Sequence, residues 1–149
     1  MKVKELGHLA FKCQDLKKSE AFYSDVLGFK RRFALTYGDR ADAPADIPAD
    51  REWIVYMKVT DGLFLELFDP EGAKELAVPE WDKFNYQHLA LIVEDIHEAR
   101  NDLAKHGVPI DSEPELGIDN TWQMWSHDPD GNKIEFMQYT DKSYQVVGR

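Results

Sequence analysis

The sequence predicts an α+β fold built from two βαβββ repeats, and three observations support this prediction. The segment His8-Leu9-Ala10 returns as His88-Leu89-Ala90, and "DGLFLELF" at 61–68 returns as "DGNKIEFM" at 130–137. Apolar residues alternate with other residues in these segments, which is typical of strands with one buried face. Each half therefore runs from a strand that carries histidine to a strand that carries glutamate.

The first strand of each half is followed by a predicted helix. Asp15 and Asp95 come directly after these strands, and aspartate is a preferred helix N-cap. Gly28 and Gly107 come where a C-cap glycine would end each helix. We therefore expect one helix between Asp15 and Gly28 and a second helix between Asp95 and Gly107.

The other strands follow from alternation and turn signals. Asp61-Gly62 favours a tight hairpin, and "DPDGN" at 128–132 predicts a second turn. The strands are expected at 30–37, 53–60 and 63–69 in the first half and at 108–113, 121–127 and 132–139 in the second.

We interpret the chain as a single domain, residues 1–149, made of two modules that share one curved mixed sheet around a cleft. The modules span about 5–69 and 86–139, and residues 70–85 join them. A loop rich in alanine, proline and aspartate at 38–52 lengthens the first module and is a candidate lid. Residues 140–149 are polar and are expected to be loosely held.

Composition limits the function classes. The net charge of -10 argues against a protein that follows nucleic-acid phosphates, which needs clustered lysine and arginine. The sequence has no apolar run of about 20 residues, the length of a membrane span. The single cysteine, Cys13, is expected in the core. We expect a cytoplasmic protein that binds a small molecule.

Strand parity groups four potential metal ligands. His8 lies on the face opposite Leu9 and Phe11, and His88 lies opposite Leu89 and Leu91. Glu66 lies opposite Leu65 and Leu67 and shares its face with the two phenylalanines of its strand, and Glu135 shares its face with Met137. A buried carboxylate is costly unless it is paired or bound to a cation. Two imidazoles and two carboxylates suit a divalent transition metal, with zinc, nickel or cobalt favoured and manganese or iron also compatible.

The other histidines lack this symmetry. His97 and His106 lie in or at the end of the second helix and are expected at the surface. His127 precedes a turn and is expected to be structural.

The chain resembles the vicinal oxygen chelate superfamily of glyoxalases, bleomycin-resistance proteins and dioxygenases. The motifs that carry the resemblance are "GHLAFKCQDLKKSEAFYSDVLGF", "LFLELFDP", "QHLALIVEDI" and "DPDGNKIEF". Matched by position, they imply His8, Glu66, His88 and Glu135 as metal ligands, a set similar to that of glyoxalase I (lactoylglutathione lyase). Lys12 stands where a glyoxalase has an arginine that binds the substrate carboxylate, and Pro70 stands where asparagine is expected.

The resemblance implies a metal-dependent lyase or isomerase that moves a proton on an α-hydroxycarbonyl or hemithioacetal substrate, with a thiol adduct as one candidate. The substrate would chelate the ion through adjacent oxygens, and Glu135 would act as the catalytic base, with Glu66 sharing the role. Expected substrate contacts are Lys12, Phe64, Phe68, Trp122 and Met137, with Met124 or Trp125 as a further apolar residue.

Two alternatives stay open. One is a protein of the bleomycin-resistance type that binds or sequesters a small molecule without turnover. The other is a different metal enzyme of the superfamily, an epimerase, a thiol transferase or a dioxygenase. The resemblance also implies a homodimer in which His8 and Glu66 of one subunit meet His88 and Glu135 of the other.

Overall fold

The computed structural model describes residues 4–72 and 86–148. The chain divides into two compact units between residues 77 and 78. None of the helices in the described part of the chain is long and apolar enough to cross a membrane.

The first unit is a four-stranded mixed sheet with its helical segments between the first and second strands. Its elements are strand β1 (His8–Lys12), helix α1 (Leu16–Ala21) continued by a π-helical turn (Phe22–Val26), strand β2 (Lys30–Thr36), a 3₁₀ turn (Tyr37–Asp39), and strands β3 (Glu52–Thr60) and β4 (Leu63–Phe68). The strand order is β1-β4-β3-β2, with β1 parallel to β4 and the other pairs antiparallel.

The second unit repeats this plan. Its elements are strand β5 (Leu89–Ile92), helix α2 (Ile96–Lys105), strands β6 (Ser112–Leu116), β7 (Trp122–His127) and β8 (Lys133–Gln138), and a short helix α3 (Tyr144–Val147). The order is β5-β8-β7-β6, again with only the first pair parallel. The predicted α+β class with two βαβββ repeats is confirmed, and each repeat forms a four-stranded mixed sheet.

The predicted helix signals act as expected. The Asp15 carboxylate accepts a hydrogen bond from the Lys18 amide, and the Asp95 carboxylate accepts bonds from the amides of His97 and Glu98. Gly28 and Gly107 have φ of 73° and 70°, the left-handed conformation that glycine adopts without steric cost. The core of each unit lies between its helix and its sheet, where Cys13, Leu65 and Leu67 are buried in the first unit.

Two predictions about the second unit are corrected. The strand expected at 108–113 begins only at Ser112, because Val108 still donates its amide to Leu103 at the end of α2. Residues 140–148 are also held more firmly than expected. The hydroxyls of Thr140 and Ser143 donate to the Asn120 carbonyl at 2.8 and 2.9 Å, and Ser143 is buried.

Candidate functional site

Strand register places the predicted residues of the first unit on one face of its sheet. His8 lies opposite Phe64, Ala10 opposite Glu66, and Lys12 opposite Phe68 in the parallel β1–β4 ladder. Register partners share a face, and Leu65 and Leu67 on the other face are buried towards the core. We call the surface that carries these six partners the Glu66 face.

His8 and Glu66 form a close pair on this face. His8 Nδ1 lies 3.5 Å from Glu66 Oε1, and Glu66 is only 7% exposed. Tyr56 lies opposite Glu66 in the β3–β4 ladder. Burial, followed by the charge of the Glu66 carboxylate, raises the pKa of Tyr56. The face therefore holds an almost buried carboxylate between an imidazole and a phenol.

The second unit repeats the pair. His88 immediately precedes β5, and its Nε2 lies 3.2 Å from Glu135 Oε2 on β8. Trp125 lies opposite Glu135 in the β7–β8 ladder, the same position that Tyr56 takes beside Glu66. The His88 ring meets the Trp125 ring edge-on at 4.9 Å between centroids, and Lys133 Nζ lies 4.1 Å from the Trp125 ring centroid.

The structure separates the predicted apolar contacts into two groups. Phe64 and Phe68 lie on the Glu66 face, and Met137 lies on the face of Glu135, two residues further along β8. Trp122 lies on the opposite face from Glu135. Its ring packs against the His97 ring of α2, with 5.4 Å between the ring centroids. Of the two residues named as a further apolar contact, Trp125 lies beside Glu135 and Met124 is buried.

Lys12 has a partner that the sequence did not indicate. Its Nζ lies 3.3 Å from Glu71 Oε2, and the other Glu71 oxygen binds the guanidinium of Arg40. Arg40 belongs to the loop at 38–52, and its guanidinium lies 4.4 Å from the ring centroid of Trp53. No repeat or motif marks these residues, since they have no counterpart in the second half.

The other histidines and the single cysteine do not belong to the two His–Glu pairs. His97 and His106 are exposed, as expected. His127 Nδ1 lies 2.9 Å from Asp111 Oδ2, which ties the start of β6 to the end of β7. Cys13 is 1% exposed and is a core residue.

A separate cavity of about 820 Å³ lies at the helical side of the first unit. Its walls include Asp15, Glu20, Arg31, Arg51 and Asp69. Arg31 binds Glu20 and Glu52, and Arg51 binds the buried Asp69. The polar groups of this cavity are thus engaged with one another, and neither His8 nor Glu66 lines it.

The two pairs have the chemistry of metal ligands. Among the described residues, the ion-pair partner of the almost buried Glu66 is a histidine rather than a lysine or arginine. A carboxylate in that setting gains from a nearby cation, and imidazole and carboxylate ligands suit divalent transition metals. Each unit supplies two such ligands, and residues 4–72 and 86–148 contain no group of three or more His, Cys, Asp or Glu placed to hold an ion.

The comparisons with known proteins agree with this architecture. A protein from Escherichia coli (strain K12), the uncharacterized protein YaeR, is 27% identical over 139 residues, which cover 91% of this chain and 97% of that protein. The crystal structure of lactoylglutathione lyase from Agrobacterium tumefaciens has a TM-score of 0.62 at 20% identity and covers 91% of this chain and 94% of its own. A glyoxylase/bleomycin resistance protein/dioxygenase domain from Frankia sp. EAN1pec has a TM-score of 0.73 at 18% identity and covers 96% and 97%.

These structural likenesses show the fold. The family model for the Glyoxalase/Bleomycin resistance protein/Dioxygenase superfamily matches residues 5–136, which include both repeats and both His–Glu pairs. The chain belongs to the Glyoxalase/Bleomycin resistance protein/Dioxygenase superfamily.

Proposed function

We propose that this protein is a metal-dependent lyase or isomerase of the glyoxalase type that moves a proton on an α-hydroxycarbonyl or hemithioacetal substrate. The observation that carries the proposal is the repeated pair, in which a histidine and a glutamate lie within 3.5 Å on β1 and β4 and within 3.2 Å at β5 and β8. A binding protein has no need to repeat this pair on equivalent strands.

His8, Glu66, His88 and Glu135 are the residues that would hold one divalent ion, with the two pairs contributed within one chain or across a homodimer. Zinc, nickel and cobalt suit this donor set best, and manganese and iron are compatible with it. When bound, such an ion supplies Lewis-acid stabilisation of the negative charge that develops on the substrate oxygens.

The two carboxylates have different surroundings and therefore different roles. Glu66 lies beside His8, faces Tyr56 across the ladder and is only 7% exposed, which suits a fixed ligand. Glu135 has the Trp125 ring instead of a phenol as its cross-strand partner, and its side chain is 13% exposed. We assign Glu135 as the base that takes a proton from the carbon next to the carbonyl and returns it to the neighbouring carbon.

The apolar residues on the two faces would exclude water from the reacting carbons. Phe64 and Phe68 flank Glu66 along β4, and Met137 and Trp125 flank Glu135. Exclusion of water strengthens the electrostatic interactions in the site.

Metal analysis of protein purified without added metal or chelator tests the proposal. We expect about one divalent ion per chain, with binding reduced strongly in His8→Ala and His88→Ala alike, because both pairs hold the same ion. The matched control is His106→Ala, since His106 is an exposed residue at the end of α2. Full metal content after the loss of either pair would contradict a shared ion, and metal-free wild-type protein that binds a small molecule without turnover would identify a sequestering protein.

Substrate class is tested with the metal-loaded protein. A panel of thiol hemithioacetals, acyl-CoA esters and epoxides separates the lyase from an epimerase and from a thiol transferase. We expect turnover of a hemithioacetal or an α-hydroxycarbonyl, and turnover confined to the other members would replace the proposed reaction.

A further inference from the structure

A second histidine lies on the same face of the second sheet as Glu135. In the β7–β8 ladder, Trp125 lies opposite Glu135 and His127 lies opposite Lys133. Ser126, between Trp125 and His127, is buried, so its two neighbours point away from the core. We call the surface that carries these two register pairs the Glu135 face.

Asp111 holds the His127 ring in one orientation. The ring nitrogen Nδ1 lies 3.1 and 2.9 Å from the two carboxylate oxygens of Asp111. Asp111 is itself fixed, because its amide donates to the Trp125 carbonyl at 2.9 Å. A carboxylate accepts hydrogen bonds, so the neutral ring carries its hydrogen on Nδ1 and presents a lone pair on Nε2.

The Nε2 atom of His127 is accessible from the Glu135 face. The side chain is 36% exposed, and within residues 4–72 and 86–148 Nε2 has no hydrogen-bond partner. Lys133, opposite His127, extends its ammonium over the Trp125 ring, 4.1 Å from the ring centroid. The same ring meets the His88 ring edge-on at 4.9 Å, and His88 pairs with Glu135. One surface therefore joins the His88–Glu135 pair to a second, independently oriented acid–base group.

The proposed reaction moves two protons, whereas Glu135 accounts for one of them. When a carbonyl group and a hydroxyl group on neighbouring carbons exchange places, one hydrogen moves between the carbons and one moves between the oxygens. A carboxyl group that holds the carbon-bound proton cannot accept the oxygen-bound proton at the same time. The reaction therefore favours a site with a second acid–base group on the same face.

We propose that His127 is a catalytic residue that carries the oxygen-bound proton of the substrate. Nε2 accepts the proton of the substrate hydroxyl while Glu135 takes the carbon-bound proton. Nε2 then gives its proton to the former carbonyl oxygen when Glu135 protonates the neighbouring carbon, so both side chains return to their starting forms. Asp111 is a positioning residue, because it fixes which ring nitrogen faces the substrate. The inference rests on the proposed function, to which it adds a second proton carrier.

Nitrogen NMR tests the arrangement without turnover. Long-range ¹H–¹⁵N correlation spectra of protein labelled with ¹⁵N-histidine show which ring nitrogen carries the hydrogen. At about pH 9, where a histidine with an ordinary pKa is neutral, we expect the hydrogen of His127 on Nδ1, with its signals assigned by their loss in His127→Gln. Asp111→Asn should move the hydrogen to Nε2, because an asparagine amide can donate to Nδ1.

Turnover in D₂O separates the two proton movements. Metal-loaded protein is mixed with a hemithioacetal, and NMR follows both the product and the deuterium that replaces the carbon-bound hydrogen of the remaining substrate. We expect His127→Gln to slow product formation roughly 10²-fold or more, while deuterium still enters the substrate because Glu135 is intact. Glu135→Gln should stop both. The metal content of His127→Gln should equal that of the wild type, since His127 is not one of the four proposed ligands.

His106→Gln is the matched control for the loss of an imidazole. The Nδ1 atom of His106 also lies close to an oxygen, the Asp102 carbonyl at 2.8 Å, but at the exposed end of α2. This variant should form product at the wild-type rate.

Product formation at the wild-type rate by His127→Gln would overturn the role of His127 and leave the proposed function intact. Hydrogen on Nε2 of His127 in the wild type, or equal loss of product formation and deuterium entry in His127→Gln, would overturn that role as well. Wild-type protein that neither forms product nor exchanges deuterium would contradict the proposed function itself, and the role of His127 would fall with it.

Discussion

Tyr56 lies directly opposite Glu66 across the β3–β4 ladder, and burial together with the charge of the Glu66 carboxylate raises the pKa of its phenol. The equivalent position beside Glu135 holds Trp125. The two repeats therefore present the same pair of potential ligands in chemically different surroundings. This difference is the basis on which we assign a fixed role to Glu66 and the proton transfer to Glu135.

Replacing Tyr56 with phenylalanine should weaken metal binding while the fold is retained. The phenol is the polar group that faces Glu66 from β3, and the loss of such an outer-shell partner typically reduces metal affinity by about 10- to 100-fold. A competition titration with a chromophoric chelator measures the change. Tyr139→Phe, at an exposed tyrosine of the second unit, is the control and should bind metal as the wild type does.

Replacing Glu135 with glutamine should remove most of the turnover. A positioned general base contributes roughly 10²–10⁴-fold to such a rate, and glutamine cannot accept the proton. Initial rates on a hemithioacetal, measured at increasing metal concentrations up to saturation, give the comparison. Glu66→Gln should act mainly through metal affinity, so adding metal should restore part of its activity but none of that of Glu135→Gln. Near-normal turnover by Glu135→Gln protein would show that the base has been assigned incorrectly.

Asp69 should be important for the stability of the first unit. It is 4% exposed and accepts hydrogen bonds from the Tyr37 hydroxyl at 2.8 Å, from Arg51 at 2.7 Å and from the Glu71 amide at 2.9 Å. Asp69→Ala leaves these donors without their acceptor, and we expect the free energy of unfolding to fall by about 3 kcal/mol.

Urea denaturation followed by circular dichroism measures this loss. Asp61→Ala, at a 97% exposed side chain paired with Lys58, should leave the unfolding free energy nearly unchanged. Similar values for the two variants would mean that the buried network contributes little.

Stability should fall at alkaline pH in a way that depends on Tyr37. Burial, together with the hydrogen bond to Asp69, raises the pKa of Tyr37. A tyrosine with a raised pKa holds its proton more tightly in the folded chain. Its contribution to stability is therefore complete below about pH 10, the ordinary tyrosine pKa, and is lost as the pH rises further.

Urea denaturation at a series of pH values from 9 to 11.5 tests this expectation. The unfolding free energy of Tyr37→Phe should decline less steeply with pH than that of the wild type. Part of the slope should remain, because burial and the charge of Asp128 raise the pKa of Tyr86 to about 12. Identical slopes in both proteins would show that Tyr37 does not titrate on unfolding in this range.

Much of the fold could be predicted from the sequence because the repeat reports it twice. In "GHLAFKC" and "DGLFLELF", residues that face the core alternate with residues that face away from it. This period of two can be seen in the sequence without any tertiary contact. The His–Glu pairs could be predicted for the same reason. The sequence predicts β6 too early because "VPIDS" begins with apolar residues. In the structure, the Val108 amide donates to the Leu103 carbonyl and still belongs to the end of α2.

The parts that could not be predicted depend on contacts between distant residues. Trp122 and Trp125 are three positions apart on one strand and so face opposite ways, and only the packing of His97 on Trp122 decides which one lies beside Glu135. Arg40 and Glu71 are separated by 31 positions, and their contact depends on a loop with no periodic pattern. Neither contact leaves a signal in the local sequence.

The strand pairing also bears on synthesis of the chain. Every ladder of the first sheet is formed by residues 8–68, including the parallel pair that joins its ends. A nascent polypeptide can therefore complete that sheet while the ribosome is still adding the second repeat. The similar motifs of the two halves then emerge at different times, which disfavours mispairing between β1 and β8 or between β5 and β4.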